Sequence, residues 1–255
     1  VHCIHTLLHG AMGTAAQLRL IPRNSVADVT APKQKPPPKQ ILNDEQLDTF
    51  MAAIQADDIW RDFFYTELTT GLRLGEICGL RWEDFDAEHG VLKIQRTIHV
   101  EKGGVLTVGD TKTYAGTRKI VLPASTVQVL CERKNTTLTE WIFSNPLKPE
   151  LPVNPRTAYS RLKALLKSAG LPSIRFHDLR HTFSTHALSS GVDAKTLSGI
   201  LGHSRASFTL DTYTHVTGDM QKRASEVVGD FLTELLGEEL KPWQNAENGA
   251  AAASA

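Results

Sequence analysis

Side chains that bind phosphate and move protons crowd between Phe176 and His215, in FHDLRHTFSTHALSSGVDAKTLSGILGHSRASFTLDTYTH. His177 and Arg180 stand three positions apart, so on a helix they share a face and can converge on one anion. Arginine keeps its proton in a protein, and its planar fork matches two oxygens of a phosphate. His203 and then Tyr213 follow. A tyrosine hydroxyl titrates near about 10, so at neutral pH it is a poor nucleophile until a base or a positive charge helps remove its proton. His177 and His203 are the candidates for that help, and the set reads as phosphoryl transfer to tyrosine.

The elements that must position these groups are legible around them. Leu179, Phe183, Ala187 and Leu188 give the His177 helix a separate apolar stripe. Gly191 ends that helix and Asp193 caps the next, which runs from Ala194 to Leu201 and stops at Gly202, leaving His203 on the turn beyond. Far upstream, Gly71 permits a tight turn that presents Arg73 at the start of a helix through Ile77 and Leu80, with Glu76 placed to orient it. Asn43 and Gln46 form a capping box before an amphipathic helix, and a second helix runs from Ile59 to Leu68. Between Trp82 and Pro123 the period changes to that of strands: VLKIQRTIHV, a turn at Gly103 and Gly104, then TRKIVLP, with Lys112 in the connection before the last strand. Asn154-Pro155 opens a helix with Tyr159, Leu162, Leu165 and Leu166 on one side.

The motifs HDLRH, LGHS and DTYTH, in this order, together with TGLRLGE and TKTYAGTRKIVLP, resemble the catalytic core of the tyrosine recombinases, or phage-type integrases, over roughly Gln40 to Leu236. Within that family the resemblance is greatest to the integrases of bacterial conjugative transposons. It implies a mainly α (α+β) fold: a helical catalytic domain with a small antiparallel sheet, preceded by a truncated helical core-binding domain. It implies six catalytic residues, Arg73, Lys112, His177, Arg180, His203 and Tyr213, supported by Glu76. Tyr213 would attack a DNA phosphodiester, the arginines would hold its non-bridging oxygens, and Lys112 would protonate the leaving 5′ oxygen. No cofactor and no metal are implied. The implied partners are double-stranded DNA at transposon or attachment sites and further copies of the chain, a dimer on one site and a tetramer in synapsis, with accessory DNA-bending or excision factors.

Readings of other classes start from the same residues. HDLRH superficially resembles the HExxH metallohydrolase motif, with His177 and His181 one turn apart, but Asp replaces the required Glu and Arg180 would repel a dication. A DNA-binding module without catalysis, or a type IB topoisomerase that relaxes DNA without exchanging partners, is the remaining alternative.

Composition sets the frame. The 255 residues, 41% hydrophobic and 22% charged, are ordinary for a globular chain. Cys3, Cys78 and Cys131 are odd in number and widely spaced, which fits neither a zinc pattern nor a disulfide framework and points to a reducing cytoplasm, where the resemblance implies association with the nucleoid. No apolar run approaches a membrane span. The formal net charge is zero, yet it is segregated. Acid lies in Asp44 to Glu67 and Glu226 to Glu247, and base gathers in two other stretches: Lys33, Lys35 and Lys39, then Arg156, Arg161, Lys163, Lys167, Arg175 and Arg205. These are the candidate DNA contacts, the helix after Asn154 foremost. Residues 1–31 read as the close of a core-binding domain or as a short helix docked on the main domain. Residues 32–40, PKQKPPPKQ, read as a basic polyproline strap spanning roughly 28 Å. The catalytic domain is expected over 41–236, and 237–255 as a disordered tail. Val227, Val228, Phe231, Leu232, Leu235 and Leu236 form an apolar stripe that either closes its own core or docks into a neighbouring subunit.

Overall fold

The computed structural model describes residues 2–31, 40–110 and 116–202, and the chain divides into two units, residues 1–39 and 40–255. In the first, helix α1 (His2–Gln17) is followed by a single turn of 3-10 helix, Ser25–Asp28. Asn24 ties the two together: its side-chain amide donates to His9 O (3.0 Å) and its Oδ1 accepts from the Val26 amide (3.0 Å). No residue of α1 is buried, and Ile4, Leu7 and Leu8 lie exposed. Among the described residues no helix is long and apolar enough to cross a membrane.

The second unit opens with the capping box read from the sequence. The Gln46 amide donates to Asn43 Oδ1 (2.9 Å), and the Asn43 amide donates to Gln46 Oε1 (3.1 Å), starting α2 (Asp44–Gln55). Asp57 then accepts the Ile59 and Trp60 amides on its Oδ1, so α3 begins at Arg61 and runs to Thr70, later at both ends than the spacing predicts. This helix crosses the core. Phe63 packs edge to face on Trp60, Phe64 and Phe143 with ring centroids 5.2 to 5.4 Å apart, each burial contributing about 1.5 to 3 kcal/mol. Gly71 leaves it in the left-handed region (φ 59°), and a Cβ there would fall 2.3 Å from Phe183 Cδ1, so the turn accepts glycine alone.

Helix α4 (Leu74–Cys78) follows at once. It stops short of Leu80, because Leu80 O accepts the Ile142 amide (3.0 Å) and the chain there is already extended. Strands β1 (Phe85–Asp86), β2 (Val91–Ile94), β3 (Arg96–Val100), β4 (Leu106–Asp110) and β5 (Arg118–Val121) make two antiparallel pieces. One is the hairpin β3-β4, with Ile98 opposite Val108. The other has β2 between β1 and β5, with Leu92 opposite Ile120 and Ile94 opposite Arg118. Helix α4 lies against β3 so closely that a Cβ on Gly75 would meet Thr97 Oγ1 at 2.4 Å and Ile98 O at 2.8 Å.

Helix α5 (Ala124–Thr136), the short hairpin of β6 (Ser144–Asn145) and β7 (Lys148–Pro152), and helices α6 (Pro155–Ser168), α7 (Phe176–Ser189) and α8 (Ala194–Leu201) complete the described chain. Leu162, Leu165 and Leu166 bury one side of α6 as expected, whereas Tyr159 is exposed and carries the Lys163 ammonium 5.3 Å over its ring. The fold is mostly helical with small antiparallel sheets.

Candidate active site

The last carbonyls of a helix have no partner within it, and they form the negative end of its dipole. In α8 three consecutive carbonyls are each taken by a different guanidinium. Arg118 Nε donates to Ile200 O (2.6 Å), Arg180 Nη2 to Leu201 O (2.7 Å) and Arg73 Nη2 to Gly202 O (3.1 Å). Strand β5, helix α7 and the start of α4 thus deliver one arginine apiece to a single helix end. Gly202 turns the chain there in the left-handed region (φ 65°), directly before His203.

Glu76 organises two of the three. Its carboxylate, 4% exposed, accepts the Arg73 amide (3.0 Å), Arg73 Nη1 (2.7 Å), and Arg118 Nη1 and Nη2 (3.1 and 2.9 Å). Burial alone would raise the pKa of Glu76, but the hydrogen bonds and charge of Arg118, and then those of Arg73, outweigh it and hold the carboxylate below its ordinary range. Arg73 keeps 42% of its side-chain surface exposed, so the fork that Glu76 aligns still faces outward.

Arg180 is the inner member, with only 1% of its surface exposed. Its Nη1 donates to Gly71 O (2.8 Å), the carbonyl of the left-handed turn just before Arg73, while Nη2 holds α8. Burial, followed by the neighbouring charge of Arg73, pushes its pKa down to about 10, which leaves it a cation at neutral pH. On the same helix His177 reaches the surface, with its ring edge to face against the buried His181 at a centroid distance of 4.5 Å. Desolvation and then the charge of Arg180 lower its pKa, keeping it neutral and able to accept a proton near neutrality. Asp178, beside it, is spent on the cap of α7 and on Arg175 Nη2 (2.8 Å).

Of the residues singled out by sequence, Arg73 and Arg180 therefore meet at the end of α8, with Glu76 bound to Arg73 and His177 one turn before Arg180 on α7. Lys112, His203, Tyr213, Arg205, Lys33, Lys35 and Lys39, and the apolar stripe from Val227 to Leu236, lie outside the described residues. On α6, Arg161 Nε donates to Asp57 Oδ2 (2.7 Å) and Lys163 Nζ to Ser173 Oγ (2.8 Å) and Ile174 O (2.7 Å), so both are engaged within the unit. Arg156 and Lys167 are exposed on the same helix.

Two members of the cluster were not singled out by the sequence. Arg118 reads there as one cation in a β-rich run, and only the pairing of β5 with β2 brings it to Glu76. Glu67, fully buried on α3, did leave a signal: it falls four positions after Phe63 and three after Phe64, on the face those rings bury.

Comparisons with known proteins identify the family. Residues 40–219 match the phage integrase family. A "Tyrosine recombinase XerC-like" protein of Caldanaerobacter subterraneus subsp. tengcongensis is 30% identical over 215 residues, 75% of this chain and 54% of that one. The "Transposase from transposon Tn916" of Enterococcus faecalis is 30% identical over 201 residues, 71% of this chain and 49% of that one. The chain thus spans about half the length of these curated relatives. Among solved structures, the Tn1549 transposon integrase in complex with a circular intermediate DNA superposes with a TM-score of 0.73 at 26% identity, over 89% of this chain and 78% of that one. With two guanidinium groups, a positioned imidazole and the matched family span all on one unit, the chain belongs to the phage integrase family, the tyrosine recombinases.

Proposed function

We propose that this chain carries the catalytic part of a site-specific DNA recombinase that integrates and excises a mobile element through a 3′-phosphotyrosine intermediate. The observation that carries the reading is the convergence of Arg73 and Arg180, from elements 107 positions apart, on the adjacent carbonyls Gly202 O and Leu201 O, with His177 on the same helix as Arg180. Two forks so placed suit the non-bridging oxygens of one phosphate.

In the proposed reaction the Tyr213 oxygen attacks phosphorus, and its proton passes to His177 or His203. The bond to the 5′ oxygen breaks, and Lys112 supplies that oxygen with a proton. The phosphotyrosine link retains the bond energy, so a 5′ hydroxyl from a partner strand reverses the step without ATP. Neither metal nor nucleotide enters. A suicide duplex carrying the element end tests this: Tyr213→Phe should abolish the covalent adduct while DNA affinity stays within about twofold, since only a hydroxyl is lost. Lys112→Ala should slow cleavage and be partly rescued by a 5′-phosphorothiolate, which leaves without protonation. Unchanged cleavage in EDTA separates this chemistry from a metallohydrolase, and strand transfer between two distinct duplexes separates it from a topoisomerase.

The partner is double-stranded DNA at transposon or attachment sites, met in the cytoplasm at the nucleoid, with accessory bending or excision factors. The relatives whose solved structures include a lambda integrase tetramer bound to a Holliday junction support assembly of copies on DNA. Residues 1–31 would close a core-binding domain, the Pro32–Gln40 strap would follow the duplex, and exposed Arg156 and Lys167 would meet its phosphates. An apolar groove of about 300 Å³ lined by Leu47, Met51, Tyr65, Leu68, Phe183 and Ala187 offers a seat for the apolar C-terminal stripe of a neighbouring subunit.

A further inference from the structure

Arg118 is a cation of the arginine centre that the proposed chemistry leaves without a task. Of the two arginines on Glu76 it is the more covered, its side chain 7% exposed against 42% for Arg73. A guanidinium has five N–H donors, and the fold engages four of those on Arg118. Nη1 donates to Glu76 Oε1 (3.1 Å) and to Gly116 O (3.1 Å), Nη2 to Glu76 Oε2 (2.9 Å), and Nε to Ile200 O (2.6 Å). Both tips of its fork are on Glu76, which leaves little to offer a phosphate. What those bonds fix is the carboxylate. Pairing on both oxygens sets its plane, and in that plane Oε1 meets Arg73 Nη1 (2.7 Å) and Oε2 meets the Arg73 amide (3.0 Å). Nε carries the arrangement on to Ile200 O, next to the Leu201 O held by Arg180 and two positions before the Gly202 O that takes Arg73 Nη2. One side chain on β5 thus keeps α4 and α8 in register.

We propose that Arg118 is a positioning residue for the reaction: without touching DNA, it fixes the Glu76 carboxylate that aligns Arg73, and fastens that pair to the end of α8 beside Arg180. The inference rests on the reading of Arg73 and Arg180 as the phosphate site. A partner that orients the binding group acts through geometry, and its loss typically costs about 10- to 100-fold in activity.

Arg118→Gln in the full chain, on the suicide duplex under single-turnover conditions, should slow Tyr213 adduct formation by about 10- to 100-fold. Affinity for the duplex should stay within about threefold and its salt slope unchanged, because no phosphate contact is lost. In a Glu76→Gln background the same change should cost far less, since the carboxylate it orients is gone. A 5′-phosphorothiolate should leave the defect in place. That separates Arg118 from Lys112, although its partner Gly116 stands only four positions after that lysine. Arg118→Lys keeps the charge without the two-oxygen pairing, so it should remain slower than wild type, and it carries the same comparisons where the glutamine variant does not fold. A wild-type adduct rate in either folded variant, an equal cost in both backgrounds, a lowered salt slope or full rescue by the phosphorothiolate each overturns the inference. Calorimetry with sulfate, an oxyanion probe for the arginines, scores the same pair of backgrounds without the tyrosine. Sulfate affinity that depends on Arg118 only while Glu76 is present, with no adduct from wild type, sinks the recombinase reading and leaves the positioning role standing. An adduct indifferent to Arg118 sinks the role alone.

Discussion

Taken one pair at a time, Arg73 and Arg161 are almost the same interaction. Each guanidinium lies 2.7 Å from a buried carboxylate, each arginine side chain is 42% exposed, and the acids, Glu76 and Asp57, are 4% and 5% exposed. What differs is the company. Glu76 is shared with Arg118, and Arg73 reaches on to Gly202 O, next to the carbonyl that Arg180 holds. Asp57 serves Arg161 and then the Ile59 and Trp60 amides, ordinary work for a residue capping α3. Three guanidinium groups crowd the end of α8, which invites an anion; on α6 the charge of Arg161 is locally settled. An ion pair's distance and burial therefore say little about function until the surrounding charges are counted.

The largest effects should come from the arginine centre. Arg73→Ala and Arg180→Ala should each lower the rate of Tyr213 adduct formation by about 10²- to 10³-fold, about 2.7 to 4 kcal/mol in barrier, measured on a suicide duplex under single-turnover conditions. Arg180→Lys should recover little, because one ammonium cannot span Gly71 O and Leu201 O as the fork does. A lysine variant with near wild-type rate would show that charge alone suffices. Gly71→Ala comes next: the positive φ and the overlap with Phe183 should cost about 1 to 3 kcal/mol of stability in denaturant, and slow adduct formation by displacing the Arg180 anchor.

How much of this was legible beforehand divides along physical lines. Features fixed by a few adjacent residues were readable: the Asn43-Gln46 box, the glycine turn that presents Arg73, the Asp193 cap of α8 and its stop at Gly202. Local backbone chemistry suffices for those. Arg118 was not readable, because its meaning depends on the register of β5 on β2 and on where α8 ends, contacts 42 and 82 positions away in the chain. The boundary of α3 moved because the side chain of Asp57 competes for its first amides, and Leu80 fell outside α4 because it pairs with Ile142. Arg161 looked like its neighbours Arg156 and Lys167 until the fold brought Asp57 to it. Spacing finds a cation's helix face, and tertiary partners decide whether the charge is spent.

A smaller effect tests the count of charges through stability. The fold holds the Glu67 acid well above its ordinary value of 4.5, chiefly by burial. As pH rises past that value the unfolded chain releases this proton first, so the folded state loses ground until the folded pKa is passed. Glu67→Leu removes the penalty. Its Tm relative to that of wild type should rise by about 2 to 4 °C from pH 4 to pH 8, roughly 1 kcal/mol. A gap that widened on acidification would mean that the carboxylate is stabilised by the fold, contrary to its lack of partners.

The smallest expected effect sharpens the comparison most. Arg161→Ala leaves Asp57 with its two amide donors, and the guanidinium is more than a third open to solvent, so stability should fall by about 1 kcal/mol or less. The rate of adduct formation should match wild type. The informative measurement is the slope of log affinity for duplex DNA against log salt. Each phosphate contact removed lowers its magnitude by about 0.9, so a guanidinium committed to Asp57 predicts an unchanged slope, while Lys167→Ala, on the exposed part of the same helix, should lower it by close to that amount. If Arg161→Ala shifted the slope as Lys167→Ala does, Asp57 would have to release its partner to DNA. The two look-alike pairs would then differ in strength as well as in company.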